Sequence, residues 1–130
     1  MEEALRILIV DDEEELVSAL VERLNLRAFQ AAGVTSGNEA LEYLERTPRD
    51  VVLLDVKMPG LGGLELIRRI KKDHPDLEVI LLTGHGSAQY ADQGMELGAF
   101  DYLMKPVKID DLVKTLLEAA ARKGGSGSDE

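Results

Sequence analysis

Cysteine is absent from the chain. Disulfides and thiolate metal sites are therefore excluded, and nothing points to an oxidising compartment, so a cytoplasmic address fits. Long apolar runs are absent as well, since none approaches the roughly 20 residues that span a bilayer. The N-terminus lacks a basic stretch followed by an apolar one, so no secretory leader is expected and the protein should be soluble. Positive charge is scarce: 25 acidic residues face 15 basic ones, for a formal net charge of -10. Such a chain repels phosphate backbones and anionic lipid, which argues against direct binding of nucleic acid or membrane.

What is present is enough apolar sequence, within 130 residues, to bury one core without covalent staples. Short, nearly continuous apolar runs occupy Ile7 to Val10, Val51 to Leu54 and Val79 to Leu82. Runs this short and β-branched read as strands buried on both faces of a parallel sheet. Between them, Val17, Leu20, Val21 and Leu24, and later Leu112, Val113, Leu116, Leu117 and Ala120, repeat with the period of one-sided helices. A weaker strand is expected over Gln30 to Val34. Ser36 and Glu39 have capping-box spacing and should start a second helix that stops before Pro48.

A third helix should begin near Gly63, present Leu64, Ile67 and Ile70 inward, and end in the turn-rich stretch Asp73 to Asp76. A fourth should follow Ser87 and close at Gly98. Gly94 lies inside it and costs roughly 1 kcal/mol relative to Ala, which makes this helix the least secure. The last strand is expected over Ala99 to Met104, followed by Pro106 and a fifth helix with Asp110 and Asp111 in its first turn, where the helix dipole favours them. Five βα units in succession imply a doubly wound α/β sheet. One domain is expected over residues 1–123, with residues 124–130 a flexible Gly/Ser-rich tail.

In an open parallel sheet the carboxyl ends of the strands face one crevice, so the residue that follows each apolar run is informative. The first run ends in Asp11 and Asp12, the third strand in Asp55, the fourth in Thr83 and the fifth in Lys105. Neighbouring strands lie about 4.8 Å apart, so these side chains converge on one small volume. Unpaired carboxylates at such range raise at least one pKa unless a cation is present. All-oxygen ligands suit Mg²⁺, or Mn²⁺, and Thr83 and Lys105 would then be free to hold phosphoryl oxygens. The cluster suits phosphoryl transfer.

The acidic pair after the first strand, Asp55 followed by Met58 and Pro59, Thr83, and the Lys105 and Pro106 pair together resemble the receiver domain of two-component response regulators. The resemblance runs from Arg6 to Arg122, and its motifs in this order are highly specific. It implies a flavodoxin-like (βα)5 three-layer sandwich with strand order 2-1-3-4-5. It also implies Asp55 as phosphoacceptor, Asp12, Asp55 and the Lys57 carbonyl as metal ligands, Asp11 as a ligand through water, and Thr83 and Lys105 as contacts of the phosphoryl oxygens. Tyr102 occupies the switch position, and Lys57 and His85 the positions that modulate dephosphorylation. The bond between Lys105 and Pro106 is a candidate cis peptide, which is mainly a proline phenomenon. Implied partners are a sensor histidine kinase or phosphotransfer protein as donor and a downstream protein or output domain as recipient. A homodimer on phosphorylation is compatible with the pattern. The readout surface would be the fourth helix, fifth strand and fifth helix.

Each of these residues has a plainer reading. Asp11 to Glu15 also suit the cap and first turn of a helix. Thr83 with Gly84 is also a turn, Lys105 also a surface charge, and Tyr102 also an edge-strand packing residue, while His74 reads as a surface turn residue. Gly60, Gly62 and Gly63 lack the spacing of a nucleotide loop. A haloacid-dehalogenase-like phosphatase would need an acid two residues after Asp55, where Lys57 stands. A flavodoxin-like binder would need a phosphate loop where Asp11 and Asp12 would repel the phosphate, and an adaptor that is never phosphorylated would have no need of the full acceptor set.

Overall fold

The computed structural model describes residues 4–58, 60–84 and 88–126, with side chains over 89–122 in the last span. Pro59, His85 and Ser87 lie outside the described residues. The elements alternate throughout: β1 (Arg6–Val10), α1 (Glu14–Leu26), β2 (Gln30–Val34), α2 (Gly37–Arg46), β3 (Val51–Asp55), α3 (Gly63–Asp73), β4 (Glu78–Thr83), α4 (Ala88–Glu96), β5 (Asp101–Met104) and α5 (Ile109–Ser126). The strands form one parallel sheet in the order β2-β1-β3-β4-β5, as expected. Among the described residues no helix is long and apolar enough to cross a membrane.

Strand alternation divides the core in two. Leu8 and Val10, Val52 and Leu54, and Val79 and Leu81 pack against α2 and α3, with Ala40, Leu44, Leu66, Ile67 and Ile70. Ile7 and Ile9, Val51 and Leu53, and Ile80 and Leu82 pack on the other face against α1 and α5, with Val17, Leu20, Leu24, Leu112 and Leu116. Every residue of β3 is buried, which is why its sequence shows a continuous apolar run instead of an alternation.

Local signals explain most boundaries. Ser36 accepts from the Glu39 N–H at 3.2 Å, as a capping box requires. The reciprocal arm is displaced by one residue, because the Glu39 carboxylate accepts from the Thr35 N–H at 3.0 Å. Inside α3 the buried set is Leu66, Ile67 and Ile70, and Leu64 is only partly covered. In α5 the buried stripe is Leu112, Thr115, Leu116 and Ala119, whereas Leu117 is exposed. An apolar surplus on that helix hid the true stripe, since a small alanine and a threonine bonded to the Asp111 carbonyl pack inward instead. The helix itself reaches into the Gly/Ser-rich segment, as far as Ser126.

Strand β5 starts at Asp101, not at Ala99, because Ala99 completes the end of α4. Its N–H reaches the Gly94 carbonyl and the Gly98 N–H reaches the Met95 carbonyl, both at 3.1 Å, with Gly98 at φ +113°. This is a Schellman end, with glycine at the left-handed position. The end of α1 repeats it: Phe29 bonds to the Leu24 carbonyl at 3.2 Å and Ala28 to the Asn25 carbonyl at 3.1 Å. There the left-handed residue is Ala28, at φ 71°. Gly94 has a packing role: a Cβ there would meet Leu81 Cδ1 at 2.4 Å, so its absence lets α4 lie close on β4.

Close approach also governs Gly63, at the start of α3, where a Cβ would lie 2.6 Å from the Val56 carbonyl oxygen and 2.7 Å from that of Asp55. Backbone cannot yield as a side chain can. Gly63→Ala should therefore lower unfolding stability in urea by about 1–3 kcal/mol, the usual range for an overpacked site. Ala28→Gly should raise it by about 1 kcal/mol, because glycine carries no left-handed penalty. An unchanged denaturation midpoint in either variant would contradict the corresponding geometry.

Candidate functional site

The two-residue period of the strands decides which side chains meet. Asp11 continues the side of Ile7 and Ile9, Asp55 that of Val51 and Leu53, and Lys105 that of Leu103, all on the α1/α5 face. Thr83 continues Val79 and Leu81, on the opposite face. The site therefore straddles the carboxyl edge of the sheet, with its acids and its lysine on one side and its hydroxyl on the other.

Asp11, Asp12 and Asp55 each place a carboxylate oxygen within 4.8 Å of the others. Asp11 is fully buried and Asp55 nearly so, while Asp12 is exposed. Asp11 Oδ1 accepts from the Glu13 N–H at 2.9 Å, which turns the chain into α1. The acidic run thus forms the helix entrance and supplies two of the three clustered acids. Asp55 Oδ1 accepts from the Lys57 N–H at 3.3 Å. Lys105 Nζ lies 2.8 Å from Asp11 Oδ2, 3.2 Å from Glu13 Oε1 and 3.5 Å from Asp55 Oδ2.

Charge in this cluster is not balanced. Burial raises the Asp55 carboxyl and the Asp11 charge raises it further, whereas Lys105 and the Lys57 N–H pull it back, leaving it at about 6 instead of 3.8. Burial works against the Lys105 ammonium, but its hydrogen bond and attraction to Asp11, followed by the pulls of Asp55 and Glu13, hold it above its ordinary range. Among the described residues, one ammonium shared among three carboxylates, with Asp12 beside them, leaves excess negative charge. A hard divalent cation fits such an oxygen set.

The remaining predicted residues are placed as follows. The peptide between Lys105 and Pro106 is cis. The Lys105 N–H donates to the Thr83 carbonyl at 2.7 Å, tying the ends of β4 and β5 together. Thr83 is fully buried, and its hydroxyl donates to Met104 Sδ at 3.1 Å. Tyr102 is 41% exposed on β5, where it pairs in register with the buried Leu81 of β4. Lys57 Nζ sits 5.9 Å from the centre of the Tyr90 ring, so its side chain leans toward α4.

Three residues at this edge are not legible in the sequence as members of the site. Glu13 was part of the visible acidic run, but its contact with Lys105 spans 92 residues. Met104 and Tyr90 look like ordinary apolar residues, and only strand register and helix placement bring them to Thr83 and Lys57.

Fold and edge chemistry define a class, that of α/β signalling switches, and the known proteins agree. The sequence model of the response regulator receiver domain matches residues 7–117. The chain belongs to that family: it is the receiver domain of a two-component response regulator, a signalling module and not a classical enzyme. It is 36% identical, over 95% of its length, to the C4-dicarboxylate transport transcriptional regulatory protein DctD of Rhizobium meliloti, of which it spans 27%. It is 35% identical to sporulation initiation phosphotransferase F of Bacillus subtilis, over 82% of this chain and 86% of that protein. Among solved structures, a receiver domain protein of Clostridium thermocellum superposes with a TM-score of 0.88 at 38% identity, covering 92% of this chain and 97% of that one.

The raised Asp55 pKa has a defined effect on stability. Between about 4 and about 6 the folded state holds a proton that the unfolded state has lost, so this group makes stability fall as pH rises through that window. Without divalent cations, Asp55→Asn should remove that slope and be more stable than the wild type at pH 7 by about 2 kcal/mol. Urea titrations of both proteins at a series of pH values check this, and parallel profiles would refute it.

Proposed function

We propose that Asp55 accepts a phosphoryl group from the phosphohistidine of a sensor kinase or phosphotransfer protein. The observation that carries this reading is the buried Asp55 carboxylate, clustered with Asp11 and Asp12 and 3.5 Å from the Lys105 ammonium. An Asp55 oxygen attacks phosphorus and an O–P bond forms. The N–P bond of the donor breaks, and its electron pair returns to the imidazole nitrogen, which takes up a proton. Lys105 moves its charge from the acids to the phosphoryl oxygens, and the Thr83 hydroxyl donates to another of them.

Asp12, Asp55 and the Lys57 carbonyl would hold Mg²⁺ or Mn²⁺, with Asp11 acting through a water. When bound, the ion supplies positive charge against the acids and the phosphoryl oxygens. Asp11 keeps its hydrogen bond from Glu13 and so fixes the entrance to α1. Loss of the phosphoryl group needs water to attack phosphorus and the P–O bond to Asp55 to break, giving inorganic phosphate and a carboxylate. Position 57 carries Lys, whose side chain lies toward Tyr90, so no acid there activates that water. Lys57 and His85 instead set the approach to the phosphoryl group and hence its lifetime.

The phosphoryl group adds about -1.5 to -2 charge units, which draws Thr83 inward and changes the surface of α4, β5 and α5 that carries Tyr102. A downstream protein, an output domain or a second copy of the chain reads that surface. The chain spans 27% of the Rhizobium meliloti regulator and 22% of the DNA-binding transcriptional regulator NtrC of Klebsiella pneumoniae, so an output domain in the same polypeptide is the arrangement we favour. The setting is the cytoplasm.

Incubation with acetyl phosphate and Mg²⁺ should add one phosphoryl mass to the intact protein, and Asp55→Asn or excess chelator should abolish it. Equal labelling of Asp55→Asn would overturn the assignment. Asp12→Asn should weaken Mg²⁺ binding by about tenfold or more, measured by calorimetric titration, because it removes a charged ligand.

A further inference from the structure

The proposed reaction requires the Thr83 hydroxyl at the acidic face of the sheet, yet in this structure it is bonded elsewhere. Thr83 is fully buried and its hydroxyl donates to Met104 Sδ at 3.1 Å. Thr83 and Met104 are register partners across the parallel β4–β5 pair, so their side chains leave the same face of the sheet. Met104 is 46% exposed, so the core does not enclose its side chain. The bond to the hydroxyl gives the side chain a reason to be there.

We infer that Met104 is a positioning residue of the switch, whose sulfur holds the Thr83 hydroxyl in its resting direction and releases it when a phosphoryl oxygen is present on Asp55. The inference rests on the phosphoacceptor reading of Asp55. A thioether suits the task because it is a weak acceptor, whereas an anionic phosphoryl oxygen is a strong one. The hydroxyl therefore has a partner in both states and prefers the second only after phosphorylation. A carboxylate at position 104 would compete with the phosphoryl group. An alkyl group there would leave a buried hydroxyl unsatisfied at rest and bias it toward the acidic site.

Two measurements separate this device from the reading it rests on. In resting protein labelled at the methionine methyl groups, Thr83→Val should shift the Met104 methyl resonance, and an unmoved resonance overturns the contact without any phosphorylation. In the second, Mg²⁺ and the phosphoryl mimic beryllofluoride are titrated into wild type and Met104→Leu. Met104→Leu should bind the mimic about two- to tenfold more tightly, the range of one net hydrogen bond. In a Thr83→Ala background the same replacement should have no effect, which a merely structural role of Met104 would not produce. Equal binding by wild type and Met104→Leu, or an equal gain in the Thr83→Ala background, overturns the inference. Absence of binding by the wild type overturns the phosphoacceptor reading itself, and with it any role for Met104 in that switch.

Discussion

Among the described residues a single ammonium is shared by three carboxylates at the carboxyl edge of the sheet, and the rest of the site depends on that shortage. Lys105 Nζ lies within 3.5 Å of Asp11, Glu13 and Asp55. Burial strengthens every interaction in the cluster, the repulsion between Asp11 and Asp55 as well as the attraction of each to Lys105. A fully paired cluster would have little affinity for a cation and little use for a charged ligand. The apolar layers on both faces of the sheet keep the domain folded around this imbalance.

Geometry at the strand ends follows from alternation. The strands run in parallel and close to one another, so each delivers its next residue to the same edge. Because successive residues point to opposite faces, Asp11, Asp55 and Lys105 fall on the side of α1 and α5, and Thr83 on that of α3 and α4. Backbone bonds hold these positions in place: Lys105 N–H to the Thr83 carbonyl at 2.7 Å, Val56 N–H to the Leu82 carbonyl at 3.1 Å and Gly63 N–H to the Val56 carbonyl at 3.1 Å. The loop after Asp55 is pinned from β4 on one side and from α3 on the other.

Much of this was legible in the chain. Buried parallel strands carry continuous apolar runs, so β1, β3 and β4 stood out, and the residues that follow or end them were the acids and the threonine of the site. Ser36 and Pro48 bracketed α2 through local chemistry that needs no tertiary context. Where the reading went astray, tertiary packing decided. Leu66 is buried ahead of Leu64, Ala119 and Thr115 lie inward while Leu117 faces out, and Gly94 is required by the approach of α4 to Leu81. Glu13, Tyr90 and Met104 were not legible as site residues, because what they touch is set by the pairing of elements far apart in sequence.

The division of the site between two faces bears on how a charge on Asp55 reaches a surface. Tyr102 is exposed on β5 and, by strand alternation, shares the face of Met104, opposite the acids. Among the described residues Thr83 is suited to serve both faces, because it is buried at the end of β4 and its hydroxyl rotates about one bond. In the proposed reading, the energy difference between its two directions must be small, or phosphorylation could not reverse it. A carboxylate or amide acceptor on the resting side would make that difference large. In that reading the thioether of Met104 keeps it within reach of one charge-assisted hydrogen bond, so a phosphoryl group on Asp55 supplies the driving charge and the β4–β5 register supplies a resting state weak enough to yield to it.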